Sequence, residues 1–289
     1  MLKAIKQART AFSLLNPDEV RRLAGRSISF GLVAMGGRQY AEMEDFLIPA
    51  GVGRKTRMEL IQHVHRAGDA QAPDHVDLVL YQDGIEGPKG TYTFCAVDPE
   101  RTVREIVEGN DDIAVSLARQ YPAFRKPVVD GLIHSVAREN AFFALATALP
   151  DVIPSLMELP WAFGEFASDT TFMTANQVRM AFLIAAACGK EAGFGKQKAE
   201  ILAIAAGAFG WRAIARELAG KIPFGGGLIP KGAIAYAATF AIGKGLERLY
   251  HAGAPYTRQE REEAFQLAYE RGKSVVQEIT AGARASGGE

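Results

Sequence analysis

The first place in this chain where residue types and spacing suit ligand chemistry is the turn Gly36-Gly37-Arg38. It follows an apolar run, Ser27–Met35 (SISFGLVAM), and precedes a helical pattern over Tyr40–Phe46. Glycines that let backbone N–H groups approach an anion, beside a guanidinium at a helix entrance, make an anion-binding pattern. Phosphate hydrolysis asks for more, namely a lysine on the phosphates and a hydroxyl on magnesium. With Gly31 and Gly36 set on the two glycines of a phosphate loop, Gly37 and Arg38 stand where lysine and Ser/Thr are required. Gly51-Val52-Gly53-Arg54-Lys55-Thr56 carries the right residues at the wrong spacing. Gly36, Gly37 and Arg38 are therefore candidate contacts for a nucleotide or another small anion, without a catalytic residue among them. No cofactor is implied.

The histidines offer metal chemistry on paper. His63 and His65 precede Asp69, Asp74, His75 and Asp77, and imidazole with carboxylate suits zinc or iron. Positions two apart on a helix point in different directions, and no HExxH spacing occurs. The expectation is a polar helix end running into a loop, with no metal. His134 lies one turn from Arg138 and Glu139 and reads as a local polar pair. Ser135 has no GxSxG context, so a hydrolase triad has no support.

These groups must be positioned by the rest of the chain, and its dominant stretch is Asn176–Tyr250. Alanine, glycine and isoleucine prevail there, and helical segments are expected near Gln177–Gly189, Lys196–Leu218 and Lys231–Tyr250. Ala233, Ala237, Ala241 and Gly245 recur every four residues and share one helical face. Such stripes let helices approach closely, in membranes and in tight soluble bundles alike. No apolar run reaches the roughly 18–20 residues of a spanning helix. Ile222–Gly243, broken by PFGGGLIP, reads instead as a shallow re-entrant hairpin. Trp161, Phe163, Phe224, Gly226, Leu228 and Ile229 are then the expected membrane or partner contacts. Asn176, Gln177, Arg179, Arg212, Arg216 and Glu217 are polar within apolar helices, and buried polar groups require partners. They are expected to satisfy one another or helix ends across the bundle, fixing its register.

Asn176-Gln177-Val178-Arg179-Met180, Ala206-Gly207-Ala208-Phe209-Gly210-Trp211-Arg212, and Ile222-Pro223 leading to Lys231-Gly232-Ala233-Ile234-Ala235-Tyr236 carry a family resemblance. Over roughly residues 118–250 the chain resembles the YcjF-like domain, a bacterial helical domain of unknown function. The resemblance implies a module that is often membrane-associated and accompanies an Era-type GTPase domain, with no active site to transfer. Strand, glycine turn and helix at Phe30–Phe46 likewise resemble the start of a P-loop GTPase. Asp83 has its glycine four residues on, at Gly87, not the three of a switch motif, and no Asn-Lys-x-Asp or Thr-Lys-x-Asp occurs. The expectation is a degenerate GTPase-like domain that does not hydrolyse.

Thirty-three basic residues balance 33 acidic ones in 289, so no net field attracts nucleic acid. Cys95 and Cys188 lie in apolar surroundings far apart and are expected as buried thiols without a disulfide. Met1–Leu15 lacks the apolar core of an export signal and reads as an amphipathic helix. Asn16-Pro17-Asp18-Glu19 starts a second helix, to about Gly25. Strands are expected at Ser27–Met35, Asp77–Gln82 and Thr91–Val97, with helices at Tyr40–Phe46 and Lys55–Ala67 between the first two. That β-α-α-β order favours a small parallel sheet. Asp98-Pro99-Glu100 caps a helix to Glu108, and further helices follow at Ile113–Gln120 and Pro127–Ala148. Thr257-Arg258-Gln259-Glu260 is a capping box opening a charged helix to about Ile279, with GARASGGE expected as a disordered tail.

The fold class expected is α+β, a small, largely parallel α/β domain followed by an all-α bundle. The divisions fall at residues 1–25, 26–110, 111–256 and 257–289. Two functions compete. The primary one is a non-enzymatic, membrane-associated or scaffolding protein whose apolar helices meet lipid or a protein partner. Its place would be the cytoplasm or the cytoplasmic face of the inner membrane. The alternative is a soluble small-ligand or nucleotide-binding protein built on the sheet.

Overall fold

The computed structural model describes residues 16–147, 169–206 and 228–286. Its elements run α1 (Pro17–Gly25), β1 (Phe30–Val33), α2 (Gly37–Leu47), α3 (Arg54–Leu60) with a 3-10 turn at Ile61–His63, then β2 (Val64–Arg66), β3 (Leu78–Gln82) and β4 (Tyr92–Phe94). Helices follow as α4 (Pro99–Gly109), α5 (Ala114–Gln120), α6 (Pro122–Ala146), α7 (Asp169–Ala187), α8 (Lys198–Ala206), α9 (Leu228–Ala252) and α10 (Arg258–Ser286). A small parallel sheet precedes an extensive helical bundle, so the α+β class holds. The chain divides into two compact units. One is Glu19–Asp130 with Ala186–Glu191, and the other comprises Gly131–Ala185, Ala192–Glu289 and the chain up to Asp18.

The sheet unit is organised by four parallel strands in the order β2-β1-β3-β4. Phe30 pairs with Val64 on one side and Leu78 on the other, and Gln82 pairs with Phe94. The central strands bury Phe30, Leu32, Leu78 and Leu80, which alternate along β1 and β3 and line one face of the sheet. Phe30 meets Tyr121 edge-on at 4.9 Å and stacks on Phe124 at 6.2 Å, while Phe46 packs on Phe94 at 5.0 Å. The Tyr121 hydroxyl donates to the Ile28 carbonyl at 2.7 Å, so its buried polar tip is satisfied. β2 replaces the expected end of the α3 helix, and it is a strand only because β1 pairs with it. Asp83–Thr91 returns the chain from β3 to its parallel neighbour without a helix. Gly84 and Gly90, both at φ +88°, make that short path possible. Gly87 lies so close to the Tyr81 ring that a Cβ would come within 2.7 Å of it.

In the helical unit, small residues serve packing between helices. Ala233, Ala237 and Ala241 are fully buried. A Cβ on Gly272 of α10 would sit 2.9 Å from the Ala233 carbonyl oxygen of α9, and one on Gly243 would meet Ile133 of α6 at 2.7 Å. The alanine stripe therefore faces protein. Among the described residues no helix is long and apolar enough to cross a membrane. α9 is long enough, but Lys231, Lys244, Glu247 and Arg248 interrupt it. The membrane-associated reading is corrected on this finding, and with it the expectations of a lipid or membrane-protein partner and of a site at the inner-membrane face. Leu228–Gly243, most of the expected re-entrant hairpin, lies inside the single helix α9. Ile229 packs against the core cluster of Ala137, Ala141, Leu145, Tyr236 and Val276. Trp161, Phe163, Phe224 and Gly226 lie outside the described residues, as does the expected helix at Leu2–Leu15. Of the expected disordered tail, Gly282–Ser286 is the end of α10, and residues 287–289 lie outside the described residues.

Candidate functional site

The sheet's topology singles out one edge. The chain leaves β1 toward β2 on one side and leaves β3 toward β4 on the other. The carboxyl ends of β1 and β3 therefore flank a topological switch point, the place where open parallel sheets take ligands. Gly36, Gly37 and Arg38 stand at that point. The β1 loop is fastened to the end of β3, since the Met35 N–H donates to the Gln82 side-chain oxygen at 3.0 Å.

Two helices leave this edge, and their entrances differ. α2 begins behind Gly36, whose backbone is extended (φ −161°) and which supplies no side-chain cap; its first turn holds no acidic residue. Around Gly37 the space is open. The Arg38 side chain is 87% exposed, with Nε 3.1 Å from Glu42 Oε1 one turn along. The positive end of the helix thus faces the edge with no carboxylate in its first turn, while the Arg38 guanidinium is turned along the helix to Glu42. α4 begins behind Asp98, whose carboxylate accepts the Arg101 N–H at 3.2 Å, and Glu100 lies in its first turn. The Cys95 N–H donates to Thr102 Oγ1 at 3.1 Å, and that hydroxyl donates to the Thr93 carbonyl at 3.0 Å, closing the β4–α4 loop. Of the two entrances, α4 already holds its own anion.

The phosphate-loop expectation needs correction. Only Ala34, Met35 and Gly36 connect β1 to α2. That is too short to wrap a phosphate in the manner of GxxxxGK[ST], and the lysine and hydroxyl are absent. Neither a degenerate P-loop nor a GTPase association has support in this geometry.

The histidine cluster does not assemble. His63 ends the 3-10 turn and His65 lies on β2, its Nδ1 3.9 Å from Asp69 Oδ2. Asp77 turns elsewhere, accepting from the Ser29 N–H and Oγ at 2.9 Å each and from Arg26 at 2.6 Å. Burial works to raise its pKa, but these hydrogen bonds outweigh it and hold the carboxyl below the usual range. Among the described residues no group of three or more His, Cys, Asp or Glu is placed to hold a metal. Cys95 and Cys188 are both half-buried and form no disulfide.

In the helical unit Asn176 and Gln177, of the expected polar cluster, are held by residues outside it. Asn176 donates to Asn140 Oδ1 at 3.1 Å and to Glu139 Oε2 at 2.9 Å. Gln177 and Asn140 both donate to Thr239 Oγ1, at 3.1 and 2.8 Å. Arg179 is exposed and stands apart; Arg212, Arg216 and Glu217 lie outside the described residues. Sequence reading missed Asn140 and Thr239, although each is a lone polar residue on an apolar helical face. It also missed the partner of His134, which is the hydroxyl of Tyr236, 2.6 Å from Nδ1. Burial pushes the Tyr236 phenol up, so it holds its proton. In comparisons with protein-family models, curated proteins and solved structures, nothing matches this chain.

Proposed function

We propose that the sheet unit binds a small anion, of the phosphate-ester kind, at the carboxyl edge between β1 and β3, without hydrolysing it. The observation that carries this reading is the uncapped entrance of α2 at the sheet's switch point. Backbone N–H groups at Gly37 and Arg38 would hold the anion, and the Arg38 guanidinium would close over it. The kinship of residues 118–250 with the YcjF-like domain belongs to this proposal on the sequence pattern alone, without the GTPase association.

The test is calorimetry with pyrophosphate at low salt. A charge-assisted hydrogen bond contributes about 1.5–3 kcal/mol, so Arg38→Ala is expected to weaken binding roughly 10- to 100-fold. Gly36→Asp copies the α4 entrance onto α2. It should block the anion while leaving the fold as stable or slightly more so, because it supplies the missing cap. Undiminished pyrophosphate binding by both variants would sink the reading.

A further inference from the structure

We infer that the outer face of α10 is an interface between two copies of this chain. The two helices lie antiparallel about a two-fold axis at Leu267, with Glu263 of each copy against Arg271 of the other. This surface belongs to the helical unit and owes nothing to the anion edge.

One side of α10 is fixed by packing. Phe265, Ala268, Gly272 and Val276 recur at spacings of three and four and are buried. The close approach of Gly272 to Ala233 shows that this side meets α9. Leu267 stands on the other side and is 76% exposed, the most exposed large apolar side chain of the helical unit among the described residues. Glu263 lies one turn before it and Arg271 one turn after it, on one ridge of the helix, and both are exposed. Neighbouring charges pair within α10, Arg258 with Glu262 at 3.0 Å and Lys273 with Glu270 at 2.5 Å. Glu263 has only the neutral amide of Gln259, at 2.9 Å. Arg271 makes no hydrogen bond or ion pair among the described residues. An exposed leucine is thus bracketed by an anion on one flank and a cation on the other.

That order of charges selects the occupant. Two such helices laid parallel and in register would set Glu263 on Glu263 and Arg271 on Arg271, which repulsion disfavours. Turned antiparallel about Leu267, positions equally far before and after it exchange. Glu263 then faces Arg271, Ala264 faces Glu270 and Ser274 faces Glu260, and no like charges stand opposite. Leucine lies on leucine at the centre, removed from water between two ion pairs. The two-fold axis makes the contact isologous, so it closes at two copies. From Glu260 to Ser274 this face is about 21 Å long. One helix face buries less than the roughly 800 Å² per partner of a standard complex. The dimer is therefore weak and concentration-dependent, with a Kd on the order of 10–100 µM.

The experiment is sedimentation equilibrium of the full chain over about 5–500 µM, a range that brackets this Kd. Wild type is expected to pass from monomer to dimer and no further. Leu267→Ser takes the apolar anchor from both copies at once and should raise the Kd about tenfold or more. Glu263→Arg and Arg271→Glu each set like charges opposite one another twice, and each should weaken the dimer roughly tenfold. The double variant Glu263→Arg with Arg271→Glu restores both pairs with their signs exchanged, and its Kd should return to within about threefold of wild type. All three side chains are exposed, so unchanged thermal unfolding in dilute solution checks that only the surface has altered. Wild type that stays monomeric throughout, or that assembles beyond the dimer, overturns the inference. So does a single variant whose dimer is as tight as wild type. A double variant no tighter than the single reversals overturns it too, because recovery on exchange requires Glu263 to face Arg271.

Discussion

The two units of the chain put their buried polar side chains to different use, bonding backbone in one and one another in the other. In the sheet unit the fully buried Thr102 and Ser116 bond to backbone carbonyls, those of Thr93 and Leu23, and the charged pairs stay partly exposed, as with Arg26 and Asp77 at 2.6 Å or Arg66 and Glu44 at 2.6 Å. In the helical unit Asn140 and Thr239 are fully buried among alanine-rich helices. The difference follows from what each architecture leaves undetermined. A strand's register is set by which of its alternating side chains must be buried, as on β1 and β3, so no buried polar contact is needed to fix it. Helices faced with alanine and glycine are smooth and can slide, and we attribute their register to the amide–hydroxyl cluster.

That contrast can be broken at its strongest point. Asn140→Leu removes one of the two partners of Asn176 and one of the two of Thr239 inside the bundle. Each hydrogen bond lost costs about 0.5–1.5 kcal/mol, and two are lost, so a loss on the order of 2 kcal/mol is expected in urea unfolding of the full chain. Adding Thr239→Val and Gln177→Leu should recover part of it, since an all-apolar site has nothing left to satisfy. A loss below about 0.5 kcal/mol, the ordinary range of a surface change, would end the argument for the cluster. Tyr121→Phe probes the sheet unit's deep phenol. Burial pushes that phenol's pKa well up, and its proton is held on Ile28. A loss of about 1 kcal/mol is expected, smaller than that of Asn140→Leu because only one acceptor is left behind.

The smallest effect belongs to the surface pair. Asp77 titrates below an ordinary carboxylate in the folded chain. Its contribution is therefore present above the unfolded pKa, near 4, and is lost as pH falls through the lower folded value. Asp77→Asn should flatten the acid limb of the stability curve by a few tenths of a kcal/mol, after allowance for solvent screening. An acid limb identical in wild type and variant would show that these hydrogen bonds do not survive in solution.

What was legible beforehand was mostly local. The capping box at Thr257 and Glu260 is present, with the Thr257 N–H on Glu260 Oε2 at 2.8 Å and the Glu260 N–H on Thr257 Oγ1 at 3.3 Å. Asp98 caps its helix, and Asn16 accepts the Asp18 N–H at 3.0 Å, both as the sequence predicts. α6 begins at Pro122, although the helix was expected from Pro127, and it carries Pro127 inside. The alanine stripe was legible as a stripe, but not what it faced.

By itself, then, the sequence determined the helix caps, the α+β class and the glycine-arginine turn, because each depends on residues within a few positions of one another. Tertiary structure alone decided the rest. β2 has three residues and no alternating pattern; pairing with β1 makes it a strand, and that pairing creates the switch point. Asn140 finds Thr239 across 99 residues and His134 finds Tyr236 across 102. Exposure of Met35 and Val97 beside the buried Leu32 and Phe94 is likewise a property of neighbours. Burial and long-range hydrogen bonding are set by which surfaces meet, and a linear pattern of residue types does not specify that meeting.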